Sequence, residues 1–268
     1  MSSATTIGDN AFLGTSLSGA LDLSSAETIG ESAFQNLAIT VAGGDLSKAK
    51  TIGDSAFQNC ASITGDITLS TAKTIGKRAF YGTEISGALD LSQAESIDAY
   101  AFSGTGITAL TLPSGKGLEW IGAGAFEETA IKAVTMTAIN KRNLPTSFGS
   151  GIFASCRGIT KVDITLESGG IGNAMFYDCT ALTDVTIKGF STWIQGSMHT
   201  YAGGTTTGSV LPFDGCDLLT EINLPDATFT PGIENKLKTD QTGMKLVCSG
   251  STILYWNANT GKWQTTRP

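Results

Sequence analysis

The chain has 268 residues, 41% of them hydrophobic, which is enough to bury the core of one large domain or two ordinary ones. Charged residues make up 15% and the net charge is −7, so a dense Lys/Arg surface for nucleic acid or anionic lipid is excluded. The single histidine, His199, excludes metal sites built from several histidines, and no cofactor is predicted. The sequence contains no long apolar run, so no membrane-spanning segment is predicted. Residues 1–6 lack the basic and apolar character of a signal peptide, and none is predicted there.

A unit Ile-Gly-x-x-Ala-Phe recurs along most of the chain, and this self-similarity is the strongest signal in the sequence. An aliphatic or aromatic residue stands five positions before eight of the nine repeated phenylalanines. Successive phenylalanines are 22 to 27 residues apart as far as the eighth unit, and 37 residues separate the eighth from the ninth. The repeated residues are Phe12, Phe34, Phe57, Phe80, Phe102, Phe126, Phe153, Phe176 and Phe213.

Each unit also contains a short apolar alternation, such as Ile159-x-x-Val162-x-Ile164, which predicts one β-strand with a single buried face. The Ile-Gly-x-x-Ala-Phe segment is apolar at i, i+4 and i+5, which predicts one helical or 3₁₀ turn behind the strand. The glycine of this segment, as in Gly30 and Gly53, is predicted to turn the chain with a positive φ. Because one unit cannot bury its own apolar face, the units are predicted to stack into a solenoid with a parallel sheet on one side.

Four of the five cysteines occupy one repeat position, three residues after the phenylalanine: Cys60, Cys156, Cys179 and Cys216. Other units have threonine or leucine there, so we expect a small buried position in which free cysteine packs as a hydrophobic side chain. The strand spacing also allows a Cys156–Cys179 disulfide, although free thiols are favoured. Cys248 lies outside the repeats, and the odd count argues against a fully paired framework.

The outward face of the predicted sheet is the first candidate binding surface. Its central column is Asp22, Asp45, Thr68, Asp90, Thr111, Thr135, Asp163, Thr186 and Asn223. A second column reads Ser18, Thr40, Thr64, Ser86, Thr108, Lys132, Thr160, Thr183 and Thr220. These small polar side chains could form a platform for a protein or a glycan; the alternative, which we favour, is that threonine is present for its strand propensity and cross-strand pairing. The aspartates do not form an Asp-x-Asp-x-Asp-Gly calcium loop, so no metal site is predicted.

Two insertions interrupt the repeat, at 137–152 and 188–212. The first carries Lys141, Arg142 and Pro145 and is predicted to be a solvated loop. The second contains Trp193 and Tyr201, aromatic residues that could contact a sugar ring or anchor a partner. A surface loop that covers one edge of the solenoid is the favoured alternative.

The repeat stops after Pro225, and we predict two regions, a solenoid over 1–225 and a C-terminal cap or small β-hairpin module over 226–268. Met244–Cys248 and Thr252–Trp256 are predicted strands, and 257–263 is a predicted hairpin. A solenoid needs cover over its last coil, which Tyr255, Trp256 and Trp263 could supply. A small aromatic glycan-binding module is the alternative.

The pattern Ile-Gly-x-x-Ala-Phe-x-x-Cys-x-x-Leu-x-x-Leu-x-Leu-Pro resembles the leucine-rich repeats of the BspA-like class, which are known mainly from bacterial surface proteins. The resemblance extends over Ile7–Pro225 and is fullest at Phe176–Leu182 and Phe213–Leu219. The early units depart from it, because serine replaces the proline at the strand end. The resemblance implies a leucine-rich-repeat solenoid of a secreted or cell-surface bacterial protein.

The sequence therefore predicts a non-catalytic recognition or adhesion scaffold that binds a protein partner through the outward face of its sheet. The candidate partner-binding residues are Asp90, Thr111, Thr135, Asp163, Thr186, Trp193 and Tyr201. One alternative is a carbohydrate-binding surface protein that uses the aromatic residues of 188–212 and of the C-terminal cap. Another is a structural spacer. We find no catalytic motif, so no enzyme activity is predicted.

Overall fold

In the computed structural model the repeats form the coils of a parallel β-solenoid, and each of the nine Phe-bearing units contributes one strand to a sheet along one side. The prediction of one parallel strand per unit is thus confirmed. The structure describes residues 2–114, 117–138, 149–166, 171–189, 198–200, 206–209, 212–225, 244–248, 253–257, 259–260 and 262–265. Among these residues the only helix is a 3₁₀ segment, Ala42–Gly44.

The main sheet runs along the side formed by the alternating apolar segments. Its parallel strands are β2 (Ser18–Leu21), β4 (Ala38–Val41), β6 (Thr64–Gly65), β8 (Glu84–Asp90), β10 (Gly106–Thr111), β12 (Ala133–Ala138), β13 (Lys161–Leu166), β14 (Asp184–Lys188), β17 (Glu221–Leu224) and β18 (Lys245–Cys248). They form three hydrogen-bonded groups, β2–β4, β6–β8–β10 and β12–β13–β14–β17–β18. The last group continues antiparallel into β19 (Ile253–Asn257) and β20 (Lys262–Gln264), as the hairpin prediction required. A separate antiparallel pair consists of β15 (Met198–Thr200) and β16 (Thr206–Ser209).

A minor sheet of two-residue strands contains the repeated isoleucine. Its strands are β1 (Thr6–Ile7), β3 (Thr28–Ile29), β5 (Thr51–Ile52), β7 (Thr74–Ile75), β9 (Ser96–Ile97) and β11 (Trp120–Ile121). The isoleucines pair in register from coil to coil and are buried, whereas the residue before each of them faces outward. The Ile-Gly segment therefore begins as a strand rather than as a helix.

Consecutive β-turns follow each of these short strands, so the predicted helical turn was wrong. In the first coil, hydrogen bonds join Ala11 N to Gly8 O, Leu13 N to Asn10 O and Thr15 N to Phe12 O, each three residues apart. The residues two before and two after each phenylalanine from Phe12 to Phe176 have a positive φ, for example Ser55 (54°) and Asn59 (58°) around Phe57. Left-handed residues at this spacing interrupt a helix and are typical of the third position of type II turns.

The repeated glycine is required for a different reason from the one predicted. Gly30 and Gly53 do not have a positive φ. A Cβ on Gly53 would instead lie 2.6 Å from Glu31 N and 2.7 Å from the carbonyl carbon of Gly30. Glycine is present because the backbone of the preceding coil approaches too closely for any side chain.

A column of phenylalanine rings fills the core. Eight successive ring pairs stack with centroids 5.2–5.6 Å apart and interplanar angles of 2–16°. The seven rings from Phe34 to Phe176 are completely buried. Offset aromatic pairs of this kind contribute about 0.5–1.5 kcal/mol each beyond their buried area, so the column stabilises every coil between the first and the last against both of its neighbours.

The position three residues after the phenylalanine satisfies a carbonyl oxygen in two ways. Thr83 donates from its hydroxyl to Phe80 O in its own coil (2.7 Å). Cys60 instead donates from its thiol to Phe34 O of the preceding coil (2.9 Å). All five cysteines are free and buried. The prediction of a buried position that accepts either residue is thus confirmed, and the Cys156–Cys179 disulfide is absent.

The choice between cysteine and threonine follows the length of the segment between the phenylalanine and the strand. Where cysteine is present, the first aliphatic residue of the strand segment comes six positions after the phenylalanine, as Ile159 after Phe153; where threonine is present, it comes five positions after, as Ile131 after Phe126. The additional residue makes a further turn closed by Ile159 N donating to Cys156 O (3.1 Å).

Candidate functional site

The structure aligns the predicted outward column across adjacent strands of the main sheet. Thr135, Asp163, Thr186 and Asn223 are successive partners on β12, β13, β14 and β17. Asp90 and Thr111 are partners on β8 and β10, which belong to a separate hydrogen-bonded group. Asp90, Thr111 and Thr135 are exposed, whereas Asp163 and Thr186 are half-buried. Five of the seven candidate residues thus lie on this face.

Asp90 has a local structural role that the sequence analysis missed. Its carboxylate accepts a hydrogen bond from Ser92 N (2.9 Å), an Asx turn that ends the strand. Asp22 does the same for Ser24, accepting from the hydroxyl at 2.7 Å and from the backbone N–H at 3.1 Å. These bonds lower the pKa of Asp22.

The strand ends explain why early units carry serine where the family pattern has proline. Proline has no N–H, and the units that end in Pro113 or Pro225 have Thr111 or Asn223 two residues earlier. A serine at the same position brings a backbone donor, and in three of the four serine units an aspartate two residues earlier accepts from it, as in Asp45 and Ser47 (2.9 Å). The exception is Ser70, which follows Thr68. Aspartate and serine therefore act as a pair.

Ion pairs connect neighbouring coils on the C-terminal half of the face. Lys188 Nζ lies 3.3 Å from Asp163, and Lys245 Nζ lies 2.8 Å from Glu221. Lys161 and Asp184 are 4.0 Å apart. All are substantially solvent-exposed, so each contributes little to stability, but together they cancel most of the charge on this part of the face.

The second predicted column holds only in the C-terminal half. The hydroxyls of Thr160 and Thr183 each donate to a carbonyl oxygen of the preceding coil, Lys132 O (3.3 Å) and Thr160 O (3.2 Å). In the N-terminal half the alignment was wrong, because Ser18 pairs with Ala38 and Thr64 pairs with Glu84. Glycines with positive φ follow the predicted residues there, Gly19 (84°), Gly65 (75°) and Gly87 (78°), and the additional residue shifts the strand register.

A groove of about 560 Å³ opens beside the second column, and the sequence analysis missed it. It is lined by Glu128, Ala130, Lys132, Ser155, Arg157 and Gly158, among others. It lies between the coils of Phe126 and Phe153, where the spacing to the next aliphatic residue changes from five to six. That change of spacing is the sequence signal that could have located it.

Two candidate residues, Trp193 and Tyr201, lie outside the described residues, as do Lys141, Arg142 and Pro145. His199 is on β15. Trp256 and Trp263 are Cα partners on β19 and β20, and Tyr255 is half-buried. Within the described ranges, no group of three or more His, Cys, Asp or Glu side chains could hold a metal ion. No helix in the same part of the chain is long and apolar enough to cross a bilayer.

Comparison with known proteins gives a match to the model of the BspA type leucine rich repeat region, in six copies over residues 1–94, 45–142 and 95–204. A similar solved structure is that of a leucine-rich repeat protein from Bacteroides ovatus, at 19% identity and a TM-score of 0.37, with 96% of this chain and 68% of that chain covered. A comparison with curated proteins found no match.

Proposed function

The chain belongs to the BspA-type leucine-rich repeat family, and from that premise we propose that it is a non-catalytic recognition scaffold that binds a protein partner through the outward face of its main sheet. The family is commonly found at the cell surface, and we propose the same location for this protein. The observation that carries the proposal is the unbroken row Thr135, Asp163, Thr186 and Asn223 across four hydrogen-bonded strands.

The backbone geometry supports this role, because it holds the face rigid. Each coil is hydrogen-bonded to its neighbours through the strands and also through the turns, as where Phe57 N donates to Ala79 O (2.9 Å). A partner that binds such a face would not have to order it first, which removes one of the main costs of association.

The side chains on the face favour a protein over a sugar. Its central residues are small hydroxyl, amide and carboxyl groups, flanked by the exposed pairs of Lys161 with Asp184 and Lys188 with Asp163. Complementary charges on a partner could compete for these pairs and so select it. A glycan-binding protein that uses Trp193, Tyr201, Trp256 and Trp263 is the second candidate, and a structural spacer is the third.

The test is a binding screen of the immobilised chain against purified extracellular proteins by biolayer interferometry, with two double variants. We expect a saturable partner, and an affinity about tenfold or more weaker for Thr135→Lys/Thr186→Lys, because two desolvated charges would face the partner. Thr51→Lys/Thr74→Lys makes the same substitutions on the minor sheet and should bind like the wild type. Equal affinity of both double variants, or binding to glycans alone that Trp193→Ala or Trp263→Ala abolishes, would refute the proposal.

A further inference from the structure

The groove lies where a shorter coil, that of Phe126, adjoins a longer one, that of Phe153. Ala130 of the shorter coil lines it, together with Arg157 and Gly158 from the additional turn of the longer coil. A Cβ on Gly158 would lie 3.2 Å from Ile131 O, so the two coils are in close contact there. The volume of about 560 Å³ is within the range of about 300–1,000 Å³ typical of ligand pockets.

Two exposed charged side chains of this groove, Glu128 and Lys132, have no ion-pair partner among the residues that the structure describes. Lys161, Lys188 and Lys245 each have a carboxylate of the adjoining coil within 4.0 Å, and Arg157 pairs with Asp178 at 2.7 Å. Lys132 and Glu128 form no ion pair within the described part of the chain. The neighbours of Lys132 in the second column are Thr108 and Thr160, which carry no carboxylate. They contact it through the backbone, because Lys132 N donates to Thr108 O and Thr160 N donates to Lys132 O.

The other groups that line the groove do not favour a sugar. The hydroxyls of Thr105 and Thr129 donate to Phe102 O (2.8 Å) and Phe126 O (2.9 Å), and that of Thr160 donates to Lys132 O (3.3 Å). No aromatic ring is among the described lining residues, so there is no surface for stacking a pyranose. What the groove offers a ligand is the positive charge of Lys132, the negative charge of Glu128 and a small apolar surface, beside an Arg157 that already pairs with Asp178.

We propose that this groove binds an extended peptide segment with an acidic side chain that pairs with Lys132 and a basic side chain that pairs with Glu128. The proposal deepens the proposed function and rests on it, because it specifies the chemistry that a protein partner presents beside the second column. The opposite charges also set the direction in which the peptide lies along the coil.

The experiment uses the full chain and a set of fluorescein-labelled, N-acetylated and C-amidated hexapeptides. Each peptide carries one lysine and one glutamate, in both orders and at separations of one to four residues, in a Gly/Ala/Ser background. Fluorescence anisotropy should find a preferred order and separation. We expect Glu128→Gln and Lys132→Gln each to lower the affinity for that peptide about fivefold, which is the effect of removing a partly exposed ion pair. The matched controls Glu84→Gln and Lys77→Gln neutralise exposed residues elsewhere and should leave it unchanged.

A charge swap tests direction without changing net charge. Glu128→Lys/Lys132→Glu should bind the peptide of reversed order better than the original, with a wild-type circular dichroism spectrum. The proposal is overturned if no peptide binds, if binding is insensitive to Glu128→Gln and Lys132→Gln, or if a neutral oligosaccharide binds there instead. These outcomes would leave the Thr135→Lys/Thr186→Lys result standing, so failure of the groove and failure of the whole face are separate findings.

Discussion

The thiol of Cys156 donates a hydrogen bond to the carbonyl oxygen of Phe126, 3.0 Å away in the preceding coil. The thiol also lies 3.2 Å from the Thr129 hydroxyl, and burial raises its pKa to about 12. The same arrangement recurs at Cys179 and Cys216, with Sγ 3.2 Å from Phe153 O and 3.1 Å from Phe176 O. The cysteines are therefore neutral packing groups that join one coil to the next.

Thiol reactivity should be very low in the folded protein. At pH 8 a thiol with a pKa of about 12 is ionised in on the order of one molecule in 10⁴, and only the thiolate reacts. We expect Ellman's reagent to label none of the five cysteines within minutes under native conditions and all five in guanidinium. Rapid stoichiometric labelling of the native chain would contradict the buried thiol arrangement.

Stability should fall as the pH rises above 9. Burial raises the pKa of Cys156 and Cys216 from 9.0 to about 12. Between these values the unfolded state has lost the proton and the folded state keeps it, so the contribution is complete below pH 9 and is lost toward pH 12. We expect urea unfolding of the wild type to lose about 1.4 kcal/mol more per pH unit in this window than Cys156→Ala does. Parallel pH dependence of the two proteins would show that the pKa of Cys156 is not raised.

The reason for the repeated glycine can be tested by making the same glycine-to-alanine substitution in an internal coil and in the first coil. Gly53→Ala places a Cβ against Glu31 N and should cost about 2–3 kcal/mol. Gly8→Ala, in the first coil, has nothing within 4 Å and should change the free energy of unfolding by less than about 0.5 kcal/mol. Denaturant unfolding compares them. Equal costs would mean that the coils do not approach as closely as described.

The pairing of aspartate with serine predicts a rescue. Asp90→Thr leaves the Ser92 N–H without its carboxylate acceptor, and we expect the Tm to fall by about 2–4 °C. Asp90→Thr/Ser92→Pro reproduces the Thr111 and Pro113 combination of the next coil and should recover most of that loss. Thermal unfolding followed by circular dichroism measures both. A double variant less stable than the single one would show that proline is not tolerated at this strand end.

The repeat itself was sufficient to predict the stacking direction, the strand of each unit and the buried phenylalanine column. It was not sufficient for the turns. Apolar residues at i, i+4 and i+5 fit a helix and a series of β-turns equally well, and what decides is the backbone preference of residues such as Ser55 and Asn59. Both residues adopt a left-handed conformation here, but of the two only asparagine favours it, and neither residue type requires it.

The alignment of side chains on the candidate face was predictable in the C-terminal coils, where the strand segments have the same length. It was not predictable in the early coils, where an additional residue changes that length. A single glycine such as Gly65 shifts the register without disturbing the apolar alternation, so the second column was displaced in the early coils. The groove arises because neighbouring units differ in spacing, with five positions from Phe126 to Ile131 and six from Phe153 to Ile159. A search for repeats looks for similarity between units and does not detect such a difference. The role of Asp90 depended on a backbone donor that exists only because Ser92 is not proline.

The direction of the backbone hydrogen bonds has a consequence for how such a chain can change in size. Turn N–H groups donate toward the C-terminal coil, as from Phe57 to Ala79, whereas the glycine that follows a minor-sheet strand donates toward the N-terminal coil, as from Gly53 to Ile29. Every internal coil thus presents the same pair of complementary edges. Duplicating one repeat would lengthen the molecule by one strand spacing, about 4.8 Å, and would create only junctions of a kind already present. Recombination can therefore change the length of the solenoid by whole repeats without changing the residues that recognise a partner.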